Sequence, residues 1–169
     1  MSEPGAQIEE DARWMRKALA AAAEARELGE VPVGACIVSG GELLASAGNR
    51  TRTDCDPTAH AEIVALRRAA ALSGNYRLTE ATLYATIEPC AMCAGALVQA
   101  RVRRLVYGAR DERAGAVESH FGVCRNSSLN HQLEVASGVL EEDCRAIMQE
   151  FFRARRKRVD EAEAQQQQQ

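Results

Sequence analysis

Residues 82–107 read TLYATIEPCAMCAGALVQARVRRLVY, a pattern that predicts a strand, a tight turn, a helix and a second strand. Residues 82–87 are rich in β-branched and aromatic side chains, which favour a strand. Pro89 suits the first turn of the helix that follows, and residues 104–107 predict the second strand. Because a helix connects the two strands, we expect them to pair in parallel.

The segments before this unit predict a helix and a hairpin. Residues 11–28 carry apolar side chains at helical spacing. Two short runs of apolar and small residues, 35–39 and 42–47, flank Gly40-Gly41. This glycine pair favours a two-residue turn, so we expect an antiparallel hairpin.

Further elements are expected on both sides of residues 82–107. A second helix is predicted over residues 57–72, with Asp56 or Thr58 as its cap. Residues 108–130 are rich in turn formers, so we expect a long connection with a short helix near residues 116–121. A last strand over residues 132–137 and a terminal helix over residues 140–159 complete the series.

Together these elements predict one α/β domain, a three-layer α/β/α sandwich built on a mixed five-stranded sheet. We expect the domain to span residues 1–159. Residues 160–169 end in five glutamines, and such a polar tract favours disorder.

The composition indicates a soluble protein with a proper core. Hydrophobic residues make up 46% of the chain, and no apolar stretch is long enough to span a bilayer. The six cysteines are expected to be reduced thiols, because no secretory signal precedes them. We therefore expect a cytoplasmic protein without a membrane partner.

Charge is distributed unevenly along the chain. The formal net charge is −3, yet five of the six residues 153–158 are basic. Such a run can contact the phosphates of a nucleic acid, although a solvated helix face is its ordinary alternative.

His60, Cys90 and Cys93 supply one imidazole and two thiolates, a ligand set that suits tetrahedral zinc and leaves a fourth position for water. Glu62 follows His60 closely and can exchange a proton with that water. A closed structural site would need a fourth ligand. The distant candidates are Cys124, His120 and His131.

The motifs His60-Ala61-Glu62 and Pro89-Cys90-Ala91-Met92-Cys93 together match the signature of the zinc-dependent, cytidine deaminase-like superfamily. Within it, the chain resembles the bacterial tRNA adenosine deaminases. The resemblance covers, in order, residues 30–34, 56–67, 81–97, 108–111 and 151–153.

The resemblance implies hydrolytic deamination of the wobble adenosine of tRNA to inosine, with one zinc ion per chain and a homodimeric assembly. Glu62 would accept a proton from water and then protonate the purine ring and the departing ammonia. Asn49 matches an asparagine that contacts the flipped base, and Asp111 matches an acidic residue near the nucleotide sugar. Their alternatives are a turn residue and a solvated loop aspartate.

Two other functions stay open at this point. A deaminase of guanine, cytosine or cytidine would use much the same zinc motif. A zinc-dependent RNA-binding module without catalysis would explain the thiolates and arginines, but it would give Glu62 no task. Residues 117–128 follow no family pattern, so their contribution to RNA contacts is not assigned.

Overall fold

A computed structural model describes residues 4–166 of the chain. These residues form four α-helices and five strands. They are α1 (Pro4–Glu27), β1 (Gly34–Ser39), β2 (Glu42–Gly48), α2 (Ala61–Ser73), β3 (Thr82–Ile87), α3 (Ala91–Gln99), β4 (Arg104–Ala109), β5 (Glu134–Ser137) and α4 (Glu141–Gln166).

The five strands form one mixed sheet in the order β2-β1-β3-β4-β5. Strand β1 is antiparallel to both β2 and β3, whereas β3, β4 and β5 are parallel. The hairpin at Gly40-Gly41 and the parallel β3–β4 pair are therefore confirmed. Since β3 and β4 are parallel, the loops that follow them emerge at the same edge of the sheet.

Alternate side chains of the strands pack against helices on opposite faces of the sheet. Ile37, Leu83 and Leu105 belong to the core cluster that contains residues of α2 and α3. Their neighbours Tyr84 and Val106 belong to the cluster that contains residues of α1 and α4. The predicted three-layer α/β/α arrangement is confirmed.

Helix α1 lies unusually close to the hairpin. A Cβ atom at Gly34 would lie 1.9 Å from the carbonyl oxygen of Ala18 and 2.5 Å from the backbone nitrogen of Ala22. A Cβ atom at Gly48 would lie 2.5 Å from the carbonyl oxygen of Ala21. The small residues on both elements therefore let the helix backbone approach the strands directly.

Both terminal helices extend beyond their expected bounds. Helix α1 begins at Pro4 rather than at residue 11, because buried Asp11 pairs with Arg104 of the sheet at 2.7 and 2.8 Å and anchors this part of the helix. Helix α4 continues to Gln166, past the expected end of the terminal helix at residue 159, and so includes residues that were expected to be disordered. Alanine, glutamate and glutamine are good helix formers, which explains the continuation. Residues 167–169 lie outside the described part of the chain.

The other differences are local. Helix α2 begins at Ala61 and not at residue 57. Asp56 accepts hydrogen bonds from the backbone and the hydroxyl of Thr58 at 2.8 and 2.7 Å, so these residues close a turn instead of capping the helix. The long connection after β4 has no helix at residues 116–121. A single 3-10 turn forms at Val123–Arg125.

None of the helices within residues 4–166 combines the length and the apolarity needed to cross a bilayer.

Candidate active site

The N-terminal ends of α2 and α3 meet, and this junction brings the three predicted ligands together. His60 is the residue that precedes α2, and Cys90 is the residue that precedes α3. The Nδ1 atom of His60 lies 3.6 Å from Sγ of Cys90 and 3.5 Å from Sγ of Cys93. The backbone of His60 is extended, so His60 precedes α2 and does not lie in the first helical turn, where it was expected.

The spacing of these donor atoms fits a zinc ion. Tetrahedral zinc with ordinary bond lengths to sulfur and to imidazole nitrogen separates those two donors by about 3.6 Å. Both sulfur–nitrogen distances in the site are within 0.1 Å of that value. The three ligand atoms lie within 4.8 Å of one another, as one ion would require.

The electrostatics of the cluster favour a thiolate. A hydrogen bond from Cys93, followed by one involving His60, lowers the pKa of Cys90 to about 3. The same hydrogen bonds raise the pKa of Cys93 and of His60. Cys90 also stands at the positive end of the α3 dipole, which stabilises negative charge on its sulfur. The cluster is therefore suited to bind a cation.

Glu62 lies beside this cluster in the first turn of α2. Its side chain is only 2% exposed, and burial raises its pKa. Within residues 4–166, its Oε2 atom has no hydrogen-bond partner. A buried polar atom without a partner costs free energy, so it marks a place where water or a ligand completes the structure.

Asn49 lies at the end of β2 and contacts the start of α2. Its Oδ1 atom accepts a hydrogen bond from the backbone nitrogen of Ala61 at 2.9 Å, while the His60 side chain makes no capping bond. Asn49 therefore caps, from a distance, the helix that carries Glu62. Because the capping bond uses only the carbonyl oxygen, the amide hydrogens remain potential donors to a ligand.

Asp111 lies in the connection that follows β4. Its Oδ1 atom accepts hydrogen bonds from the backbone nitrogens of Arg113 and Ala114 at 2.9 and 3.1 Å. This carboxylate thus shapes its own turn. The second carboxylate oxygen takes no part in these two hydrogen bonds.

The distant candidates for a fourth ligand do not join the cluster. Cys124 is buried in the apolar core, and His131 contacts the carbonyl oxygen of Val102 at 2.8 Å. The ring of His120 lies against the carbonyl oxygen of Glu112. In the described part of the chain the metal-binding group has three members, which leaves room for a water or substrate ligand.

Sequence reasoning missed two buried carboxylates that hold the loops around the site. Glu30 accepts hydrogen bonds from the backbone nitrogens of Arg52 and Thr53, just after Asn49. Glu88 immediately precedes Pro89-Cys90 and binds the loop that contains Asp111. A charged residue at the end of an otherwise apolar strand is the signal that could have identified Glu88.

The comparisons with known proteins agree with this geometry. Residues 9–156 match the MafB19-like deaminase family. The tRNA-specific adenosine deaminase of Haemophilus influenzae is 47% identical over 155 residues, which is 90% of this chain and 90% of that protein.

Two solved structures are also similar. One, from a study of A-to-I editing by tRNA:A34 deaminases at the wobble position, is 46% identical with a TM-score of 0.78 and covers 80% of this chain and 98% of its own. A guanine deaminase from Nitrosomonas europaea is 25% identical with a TM-score of 0.70, covering 89% and 85% of the two chains. The two tRNA adenosine deaminases share more identical residues with this chain than the guanine deaminase does, and the match covers at least 90% of their length. This chain therefore belongs to the tRNA-specific adenosine deaminase family.

Proposed function

We propose that this protein hydrolyses the wobble adenosine of tRNA, residue A34, to inosine, using one zinc ion per chain. The observation that carries the proposal is the pairing of a three-donor cluster with Glu62, whose buried oxygen lacks a partner among residues 4–166. Family membership supplies the substrate, because the relatives are named for tRNA and for adenosine.

His60, Cys90 and Cys93 would hold the zinc ion, since their donor atoms have the required types and spacing. When bound, zinc supplies a Lewis acid that lets water lose a proton near neutral pH. Burial of Cys93 and half-burial of Cys90 and His60 would keep most solvent away from the ion.

Glu62 would transfer protons, as the corresponding glutamate does in zinc deaminases generally. Its carboxylate accepts a proton from water as the water oxygen bonds to C6 of the adenine. It passes that proton to N1, then takes the proton of the new C6 hydroxyl and gives it to the amino group, so that the C6–N6 bond breaks and ammonia leaves. The oxygen that stays on C6 is the carbonyl oxygen of inosine.

Asn49 and Asp111 would position the nucleotide. The amide hydrogens of Asn49 can donate to an acceptor of the flipped base, while its oxygen remains on Ala61. The free carboxylate oxygen of Asp111 can accept a hydrogen bond from a ribose hydroxyl.

A basic groove beside the Asp111 loop is suited to hold the RNA backbone. It lies between the connection after β4 and helix α4, and Asp111 and Phe152 are part of its wall. Arginine side chains recognise phosphate oxygens well, because each presents several donors. The groove is lined by five of them, Arg110, Arg113, Arg145, Arg153 and Arg156.

Arginines of the basic run 153–158 line two main grooves, although Arg155 and Arg156 also share a smaller pocket, and the two grooves allow a matched test. Arg153 and Arg156 line the basic groove, whereas Arg155 and Arg158 line a different groove between α1 and α4. Replacing Arg153 and Arg156 with glutamine should flatten the dependence of tRNA affinity on salt. The slope of log affinity against log salt should fall by about 0.7 to 0.9 for each phosphate that the protein no longer neutralises.

The control is the pair Arg155→Gln and Arg158→Gln, which removes the same charge from the same helix. This pair should change the salt slope much less. Equal slopes for the two double variants and the wild type, measured by titration of full-length tRNA, would contradict RNA docking in the basic groove.

The substrate itself is tested by offering the purified protein an anticodon stem-loop, free adenosine, guanine and cytosine in separate reactions. We expect efficient formation of inosine in the stem-loop and little or no turnover of the free compounds, because only RNA can use loop contacts to hold the nucleotide out of its stack. Production of xanthine from guanine, without inosine in RNA, would overturn the proposal in favour of the guanine deaminase alternative.

A homodimer and a cytoplasmic location belong to the same proposal, the first from the family resemblance and the second from the expected tRNA substrate. Sedimentation of the purified protein at two concentrations measures the assembly state. A species with the mass of one 18.3 kDa chain at both concentrations would contradict the dimer.

A further inference from the structure

The carboxylate of Glu88 lies at the centre of the loop that follows β4. Its side chain is 1% exposed. Its Oε1 atom accepts hydrogen bonds from three consecutive backbone nitrogens, those of Val117, Glu118 and Ser119, at 3.1, 2.8 and 2.9 Å. Consecutive N–H groups that converge on one oxygen form an anion-binding concavity, which here is filled by a side chain of the protein itself.

The other oxygen of Glu88 binds the opposite end of the same loop. Oε2 accepts a hydrogen bond from the backbone nitrogen of Asp111 at 3.1 Å and another from the hydroxyl of Ser119. One carboxylate therefore satisfies five donors. It fastens the start and the end of the segment 111–119 to the residue that precedes Pro89-Cys90.

Gly115 lets this loop close over the carboxylate. A Cβ atom at Gly115 would lie 2.4 Å from Oε2 of Glu88, which is too close for any side chain. Gly115 also pairs with Cys90 in a backbone bridge, and the nitrogen of Ala116 donates to the carbonyl oxygen of Pro89 at 2.9 Å. The loop thus lies directly against the segment that carries a proposed zinc ligand.

We propose that Glu88 is a positioning residue, which fixes the loop 111–119 as the wall of the nucleotide site and places Asp111 for its contact with the substrate. This inference rests on the proposed function. A carboxylate is needed because all five groups that face it are donors. A glutamine would offer one acceptor oxygen, and its amide would direct further donors at the loop, leaving buried N–H groups unpaired.

Glu88→Gln is expected to lower kcat/KM for an anticodon stem-loop by about 10- to 100-fold, the range found when groups that orient metal ligands are removed. The loss should appear mainly as a higher KM, since the loop would hold substrate rather than transfer protons. Zinc content should be unchanged. Amide hydrogen exchange at Val117, Glu118 and Ser119 should accelerate.

One milder variant protects the test against misfolding, and one more severe variant disrupts the same contact. Ser119→Ala removes one hydroxyl donor and should cause a smaller change of the same kind. Gly115→Ala displaces the carboxylate and should resemble Glu88→Gln. The double variant Glu88→Gln with Gly115→Ala should be little worse than either single variant, because both changes disrupt the same contact.

Asp11→Asn is the matched control, since Asp11 is another buried carboxylate but lies on α1, where it pairs with Arg104 and Tyr84. It should lower the melting temperature without raising KM. An unchanged KM for Glu88→Gln, or a loss of its zinc, would overturn the inference. Amide exchange is measured without substrate, so it tests the loop even if the wild-type protein makes no inosine. Rapid exchange of the loop in such an inactive wild type would refute both proposals. Protected exchange there would refute only the proposed function.

Discussion

Glu62→Gln should lose nearly all inosine formation while keeping its fold and its metal. The amide has nearly the shape of the carboxylate, yet it cannot accept the proton of the attacking water. Proton transfer by a positioned side chain is typically worth about 10²- to 10⁴-fold in rate, and Glu62 would serve as base and then as acid. We therefore expect kcat for a saturating stem-loop to fall by at least about 10²-fold.

The fold of this variant should be intact, because the substitution removes a buried carboxylate whose Oε2 atom has no partner in the described residues. Its melting temperature should equal or exceed that of the wild type. Glu80→Gln makes the same chemical change at an exposed position and should leave turnover unaffected. Substantial inosine formation by Glu62→Gln, measured by mass spectrometry of digested RNA, would remove Glu62 from the proposed mechanism.

The candidate site could be predicted from the sequence where chemistry dictates residue types. Thiolate sulfur and imidazole nitrogen are common zinc ligands, so His60, Cys90 and Cys93 are recognisable from residue type, spacing and the match of both motifs to the deaminase signature. The structure brings these three side chains together. Glu62 is recognisable because a glutamate two residues from a ligand has few other uses in such a motif.

The sequence could not predict how the backbone around the site is held. The cap that Asn49 provides for α2 joins residues 12 apart, and the bonds from Glu88 reach residues 23 to 31 positions away. Such contacts depend on which loops the sheet brings together, and no local pattern contains that information. This is why His60 was expected inside α2, and why Glu88 was not assigned a role.

The fold shows the same contrast between local signals, which the sequence reveals, and contacts between distant residues, which it does not. Strong local signals, such as Gly40-Gly41 and the β-branched run of β3, predicted elements that the structure contains. The start of α1 was misplaced because it depends on the ion pair between Asp11 and Arg104, which are 93 residues apart. Tertiary contacts of this kind extend helices beyond what periodicity indicates.

Cys93→Ala should lose most of its zinc, which elemental analysis of the purified protein measures directly. The wild type is expected to hold about one ion per chain, because its cluster supplies the three protein ligands of one catalytic site. With Cys93 replaced, one imidazole and one half-exposed thiolate remain, and two ligands bind zinc far more weakly than three. Because bound metal stabilises the fold, the melting temperature of Cys93→Ala should also fall.

Cys36→Ala is the matched control for this zinc measurement. Cys36 is equally buried, but it lies in the cluster between the sheet and α1, where its thiol contacts the carbonyl oxygen of Trp14. This variant should keep its full zinc content despite losing a buried sulfur. A strong chelator should lower the melting temperature of the wild type and of Cys36→Ala, and it should leave that of Cys93→Ala nearly unchanged. Full zinc occupancy in Cys93→Ala would show that the metal is bound elsewhere, and the proposed ligand set would then have to be abandoned.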